Sequence, residues 1–147
     1  MNYIKDTVDR LVAKYRTADP GELCERLGIR LSVEPLPSAI KGFYYSALGM
    51  EFITVNDVLD AAEQRLVCAH ELGHARLHPG VNSLFLKRNT YISESKLENQ
   101  ADLFAVHLLV RDEDLRADGD EPVTLEQLSA RLHLPLEYLE LRCDYLS

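Results

Sequence analysis

No stretch of this chain approaches the roughly 18 consecutive apolar residues that a membrane-spanning helix needs, and no basic-then-apolar N-terminus of a secretory signal is present. A cytoplasmic protein with no membrane partner is therefore expected. Cysteine is scarce: Cys24, Cys68 and Cys143 form an odd, widely spaced set without a C-x-x-C pair. That excludes a disulfide framework and reads as reduced, mostly buried thiols. Positive charge is also short, since 16 Lys and Arg against 24 Asp and Glu leave a formal net charge of −8. Phosphate contacts need clustered cations, so direct nucleic-acid binding is not expected, whereas docking of a basic protein partner is compatible. Linkers, low-complexity runs and repeats are missing too. With 46% hydrophobic and 27% charged residues over 147 positions, the composition is that of one globular domain spanning 1–147.

What the chain does have is His70-Glu71-Leu72-Gly73-His74, an H-E-x-x-H pattern inside an apolar helix. Helical residues four apart share a face, so both imidazoles can reach one metal ion. Glu71 points about 100° from His70, beside the ligands, where it can take a proton from water. Leu66, Val67, Gly73 and Leu77 project within about 60° of His70, which puts the histidines in the middle of a buried stripe. Leu72, Ala75 and Cys68 lie on the other side, as expected of a central helix covered on both flanks. Two buried imidazoles need polar partners, and one metal serves both. The alternative is a surface helix carrying these three residues by accident.

A catalytic zinc takes three protein ligands and leaves a fourth position open. His78 continues the spacing, but three successive i, i+4 residues of one straight helix cannot surround a tetrahedral ion, and Pro79-Gly80 ends the helix. A metzincin would need glycine and histidine three and six residues after His74; Leu77 and Gly80 stand there. Downstream, residues 97–110 read as a helix with an apolar face at Leu97, Ala101, Phe104, Ala105 and Leu108. Glu98 and Asp102 are four apart on it, and Glu98 borders that apolar face. Taken alone, the pair reads as a solvated helix edge. Joined to the first motif it makes Glu98 the third zinc ligand, with Asp102 behind it as acceptor for a ring N–H of a ligating histidine.

The remaining ionisable candidates stay outside the site. His107 is half a turn out of phase with Glu98, His133 has no spacing partner, and Cys68 sits nearly opposite His70. Glu63 falls on the histidine face one to two turns earlier, and Glu94 suits a helix start. Tyr44, Tyr45 and Tyr91 are unranked candidates for oxyanion stabilisation.

Around the motifs, residues 2–16 carry a helical stripe, and Asp19-Pro20 starts a second helix that stops at Gly28. Residues 29–34, 41–47 and 50–55 read as three strands, the last two as a hairpin turning near Leu48-Gly49. Residues 79–95 show no clean period and read as a loop, with Leu84, Phe85, Tyr91 and Ile92 as packing or cleft residues. Two short amphipathic helices occupy about 122–145. Their outline matches a helix-turn-helix, but the second carries Glu137 and Glu140 with only Arg142 nearby, which disfavours a DNA groove.

With both helical motifs in place, the chain resembles the ImmA/IrrE family of metallopeptidases. The likeness rests on His70 to His74, Arg76-Leu77-His78 and Glu98 to Ala105, and extends from Ile53-Thr54-Val55-Asn56 to the 123–142 tail. It implies a minimal zincin-like α+β fold, mainly helical, with the small sheet packed on the H-E-x-x-H helix. It also implies His70, His74 and Glu98 as zinc ligands and Glu71 as general base or acid. Members of about this length, from phages and integrative elements, cut a helix-turn-helix repressor and so derepress the element. Longer members carry a sensor domain, for which no residues remain after Ser147. Asp102 stands where many relatives have asparagine, and His107 where a small residue or glutamate is common. The expectation is a zinc endopeptidase acting on a repressor encoded nearby. The alternatives are a partner-binding module that keeps the fold without hydrolysis, and a metal-independent DNA-binding regulator.

Overall fold

The computed structural model describes residues 3–87, 95–116 and 121–144. Helix α1 (Tyr3–Tyr15) buries Ile4, Val8 and Leu11, one stripe at helical spacing. Helix α2 (Pro20–Leu27) begins at Asp19, whose carboxylate accepts the Glu22 N–H at 2.9 Å, with Pro20 in a position that needs no donor. Strand β1 (Arg30–Glu34) follows, then β2 (Ile40–Ala47) and β3 (Met50–Asn56). Leu48 and Gly49 both take positive φ, 53° and 76°, which is the backbone a two-residue hairpin turn requires.

The sheet order is β1-β3-β2 followed by a further strand, β4 (Ser83–Leu86), with β1 parallel to β3 and the other pairs antiparallel. Among the described residues the sheet is thus four-stranded rather than three-stranded, and the extra strand falls within the stretch read from sequence as loop. The local pattern Ser-Leu-Phe-Leu carries no alternation, because its outward residues Leu84 and Leu86 are apolar although half-exposed. Pairing with β2 makes this strand, not propensity.

Helix α3 (Ala61–Leu77) is capped by Asp60, which accepts the Glu63 N–H at 2.8 Å. Asn56, 1% exposed, ties the chain leading into this helix: its amide donates to Ile40 O at 2.8 Å and accepts from Val58 N at 3.2 Å. Every residue from Leu66 to Ala75 is buried, since the sheet covers one side of α3 and helix α4 (Lys96–Leu109) the other. On the sheet side the approach is so close that a Cβ on Gly42 would meet Thr54 O at 2.6 Å and Val67 Cγ1 at 2.7 Å. Helix α1 packs on α4. A 3-10 turn (Asp112–Leu115) leads on towards the C-terminal pair, α5 (Leu125–Leu132) and α6 (Leu136–Asp144), of which α6 also packs on α4. The architecture is α+β and zincin-like, as the resemblance implied. No helix among the described residues is long and apolar enough to cross a membrane.

Candidate metal centre

Helix α3 places the His70 and His74 rings on one face, their centroids 4.9 Å apart. Helix α4 brings Glu98 to both: its Oε1 lies 3.0 Å from His70 Nε2 and its Oε2 lies 2.6 Å from His74 Nε2. One turn further along α4, Asp102 Oδ1 lies 2.9 Å from His70 Nδ1, and both side chains are fully buried. The structure therefore gathers all four residues expected from the two motifs, with Glu71 between them. His70, Glu71 and His74 can each offer a ligand atom within 4.8 Å of the others, a cluster able to hold a metal ion.

The ring partners determine which nitrogens are free. Asp102 accepts the Nδ1 proton of His70; Nε2, 3.0 Å from Glu98 Oε1, donates to that carboxylate while protonated and offers a lone pair to a metal once that proton leaves. His74 Nδ1 lies 3.1 Å from Nδ1 of His78, whose Nε2 lies 2.7 Å from Gln100 Oε1. As an amide oxygen Gln100 Oε1 must accept, so His78 donates from Nε2 and accepts at Nδ1 from His74. Both Nε2 atoms then converge beside the Glu98 carboxylate. His74 Nε2 is only 2.6 Å from Glu98 Oε2, yet this buried nitrogen makes no hydrogen bond among the described residues. A buried lone pair without a donor is costly, and a divalent cation satisfies it. Two imidazole nitrogens and a carboxylate form the donor set of a catalytic zinc site.

These contacts and their burial set the charges of the site. Burial raises the Glu71 carboxyl to about 7, only partly opposed by His70 and by the Ser83 hydroxyl. Burial pulls His70 down, but its bonds to Asp102 and Glu98 prevail and push it up to about 9. Glu98 is moved the other way: against the burial penalty, the two histidines hold its carboxyl far below the ordinary range. Ser83 Oγ donates to Glu71 Oε2 at 3.0 Å, while Oε1 is buried and has no partner among the described residues. The Phe85 ring stacks on His70 at 4.0 Å, closing the sheet side.

His78 is the neighbour that sequence reasoning misses. Spacing offers it only as a ligand, whereas it stands behind His74 much as Asp102 stands behind His70. Its i, i+4 spacing from His74 was the available signal. Tyr44 and Tyr45 separate, because adjacent strand residues face opposite sides. Tyr44 lies on the buried face with its hydroxyl donated to Glu51 Oε2 at 2.6 Å, while Tyr45 is 46% exposed on the outer face. This removes Tyr45 as an oxyanion candidate. Tyr91 and Glu94 lie outside the described residues. His107 is buried, with burial first and Arg142 next lowering its pKa to about 4. His133 ends α5 in the left-handed region.

An α+β fold with this His-Glu-His cluster on its central helix defines a metallopeptidase. Residues 24–144 match the peptidase family model described as the IrrE N-terminal-like domain, and the chain belongs to that family, as its motifs indicated. It is 37% identical over 139 residues to "Uncharacterized immunity region protein 2" of Bacillus phage phi105, covering 95% of this chain and 88% of that protein. It is 29% identical over 135 residues to "Metallopeptidase ImmA" of Bacillus subtilis (strain 168), covering 90% and 79% respectively.

Proposed function

We propose that this chain is a zinc-dependent endopeptidase that cleaves a helix-turn-helix repressor and thereby derepresses a phage or mobile genetic element. Residues 1–147 are read as one peptidase domain acting in the cytoplasm. His70, His74 and Glu98 would hold the metal, with Asp102 fixing the His70 tautomer. When bound, zinc supplies Lewis-acid polarisation of the scissile carbonyl and acidifies a water molecule. Glu71 accepts the proton of the attacking water at Oε1 and passes it to the leaving amine. Ser83 keeps Oε2 occupied, so the working oxygen is the one without a partner. Phe85 limits water on the sheet side of His70. A substrate segment in extended form can lie along β4, which pairs only with β2 among the described residues.

The observation that carries this reading is the unpartnered Glu71 Oε1 beside the converged His70 and His74. A module that only bound its partner would have no use for a buried free base there. The phage immunity-region relative and the ImmA relative support a repressor as substrate. Glu71→Gln, co-expressed with the repressor encoded beside it, is expected to retain metal and leave the repressor whole, while the unaltered chain yields two defined fragments. Cleavage by Glu71→Gln at the native rate would remove the base assignment. An intact repressor held in stable complex by the unaltered chain would favour the binding module.

A further inference from the structure

Helix α6 turns one face inward, with Tyr138 and Leu139 fully buried and Arg142 1% exposed. Tyr138 lies 36 residues beyond Asp102, outside both helical motifs, yet its hydroxyl donates to Asp102 Oδ1 at 3.2 Å. The same oxygen accepts from His70 Nδ1 at 2.9 Å. A line of three side chains thus joins α6, α4 and α3 and ends on a ring whose opposite nitrogen faces the Glu98 carboxylate.

We propose that Tyr138 is a positioning residue of the metal centre, acting on His70 through Asp102, so that the C-terminal helical pair forms part of the active site. The inference rests on the reading of His70, His74 and Glu98 as metal ligands. A carboxylate with no access to water depends on the donors around it for both its charge and its orientation. Rotation about the bond to its own chain would swing Oδ1 off the axis of the imidazole N–H. The phenolic O–H, fixed by a ring that is itself fully buried, supplies a second direction and restricts that swing.

Partners behind a ligating histidine typically change metal affinity by about 10–100-fold when removed. A residue one step further out belongs at the lower end. Tyr138→Phe in the full chain should therefore hold zinc about tenfold more weakly in competition with a chromophoric chelator, and the cobalt-substituted protein should show shifted visible bands. Leu139→Ala, beside it on the same buried face, should lower the melting temperature without moving either readout. In an Asp102→Ala background, where no oxygen remains to receive either proton, the Tyr138→Phe change should add nothing, because the path is already cut. Unchanged zinc affinity in Tyr138→Phe, or an effect fully additive with Asp102→Ala, would overturn the inference. Glu98→Ala separates it from its premise: if that variant keeps native zinc affinity, the ligand reading itself fails. If Glu98→Ala loses zinc while Tyr138→Phe does not, the role of Tyr138 alone is refuted.

Discussion

Gly73 of α3 lies directly against Ala101 of α4: a Cβ on Gly73 would stand 3.2 Å from both the Cα and the carbonyl oxygen of Ala101, and 3.0 Å from Phe104 Cβ. Two helix backbones touch at this point, one turn from the residues that bring Glu98 to His70 and His74. The x-x of H-E-x-x-H is therefore not free here. Its second residue sets how near the carboxylate helix can come.

Gly73→Ala should loosen this contact. Helix propensity favours alanine by about 1 kcal/mol, but overpacking against backbone costs about 1–3 kcal/mol, and the neighbouring atoms cannot rotate away. The expected net loss of about 1 kcal/mol corresponds to a melting temperature lower by roughly 2–4 °C, with faster zinc loss to a chelator because α4 carries Glu98 outward. Unaltered melting and chelator half-life would mean that the two helices are not held at this point.

Proton release should accompany metal uptake. In the metal-free protein His70 titrates at about 9, above its ordinary 6.5, and Glu71 at about 7, above its ordinary 4.5. Both raised values mean that the folded chain binds more protons than the unfolded one. Metal-free stability should thus fall as pH rises from 4.5 through 9, first with Glu71 and then with His70. A ligating imidazole must lose its Nε2 proton, so between pH 7 and 9 the apparent affinity should climb roughly tenfold per pH unit. Calorimetry in buffers of different ionisation enthalpy measures the proton count; an affinity that stays flat across that range contradicts the protonation assigned to His70.

Most of the centre was legible because helical periodicity is a local rule. His70, His74, Glu98 and Asp102 could be put on faces from spacing alone, and the burial of Leu66, Leu72 and Ala75 on opposite flanks followed from the same count. What escaped depends on partners distant in sequence. β4 exists because β2 accepts it, and His78 acquires its role from Gln100 on another helix. Alternation could not say which of Tyr44 and Tyr45 faces inward, as both are tyrosine and the answer depends on where α3 lies. Tyr138 meets Asp102 only through the packing of α6 on α4.

The thiols offer an independent check on the core. Cys24 and Cys68 are buried with their sulfurs 3.8 Å apart, and Cys143 is half-buried. The hydrogen bond with Cys24, then burial, pushes the Cys68 thiol well above its ordinary range, so it stays protonated and unreactive. A maleimide reagent should modify Cys143 alone in the native protein, and all three cysteines after denaturation. Mass-mapped labelling of Cys24 or Cys68 before unfolding would contradict the packing of α2 on α3.

Arg142 separates a helix-turn-helix that binds DNA from one that only resembles it in outline. Its guanidinium donates to Val110 O at 2.9 Å through Nε and to Asp112 Oδ1 at 2.6 Å through Nη2, and its side chain is 1% exposed. The one cation of α6 is thus spent holding the end of α4, while Glu137 and Glu140 face solvent. Asp112 is 56% exposed and can be rehydrated, so the loss on Arg142→Ala should come chiefly from the buried Val110 carbonyl and the emptied volume. We expect about 3 kcal/mol of destabilisation by denaturant titration. Neither the unaltered chain nor this variant should shift duplex DNA at low salt, where phosphate attraction is strongest. A salt-sensitive shift that disappears with Arg142→Ala would instead require the guanidinium to leave its buried partners and reach the duplex.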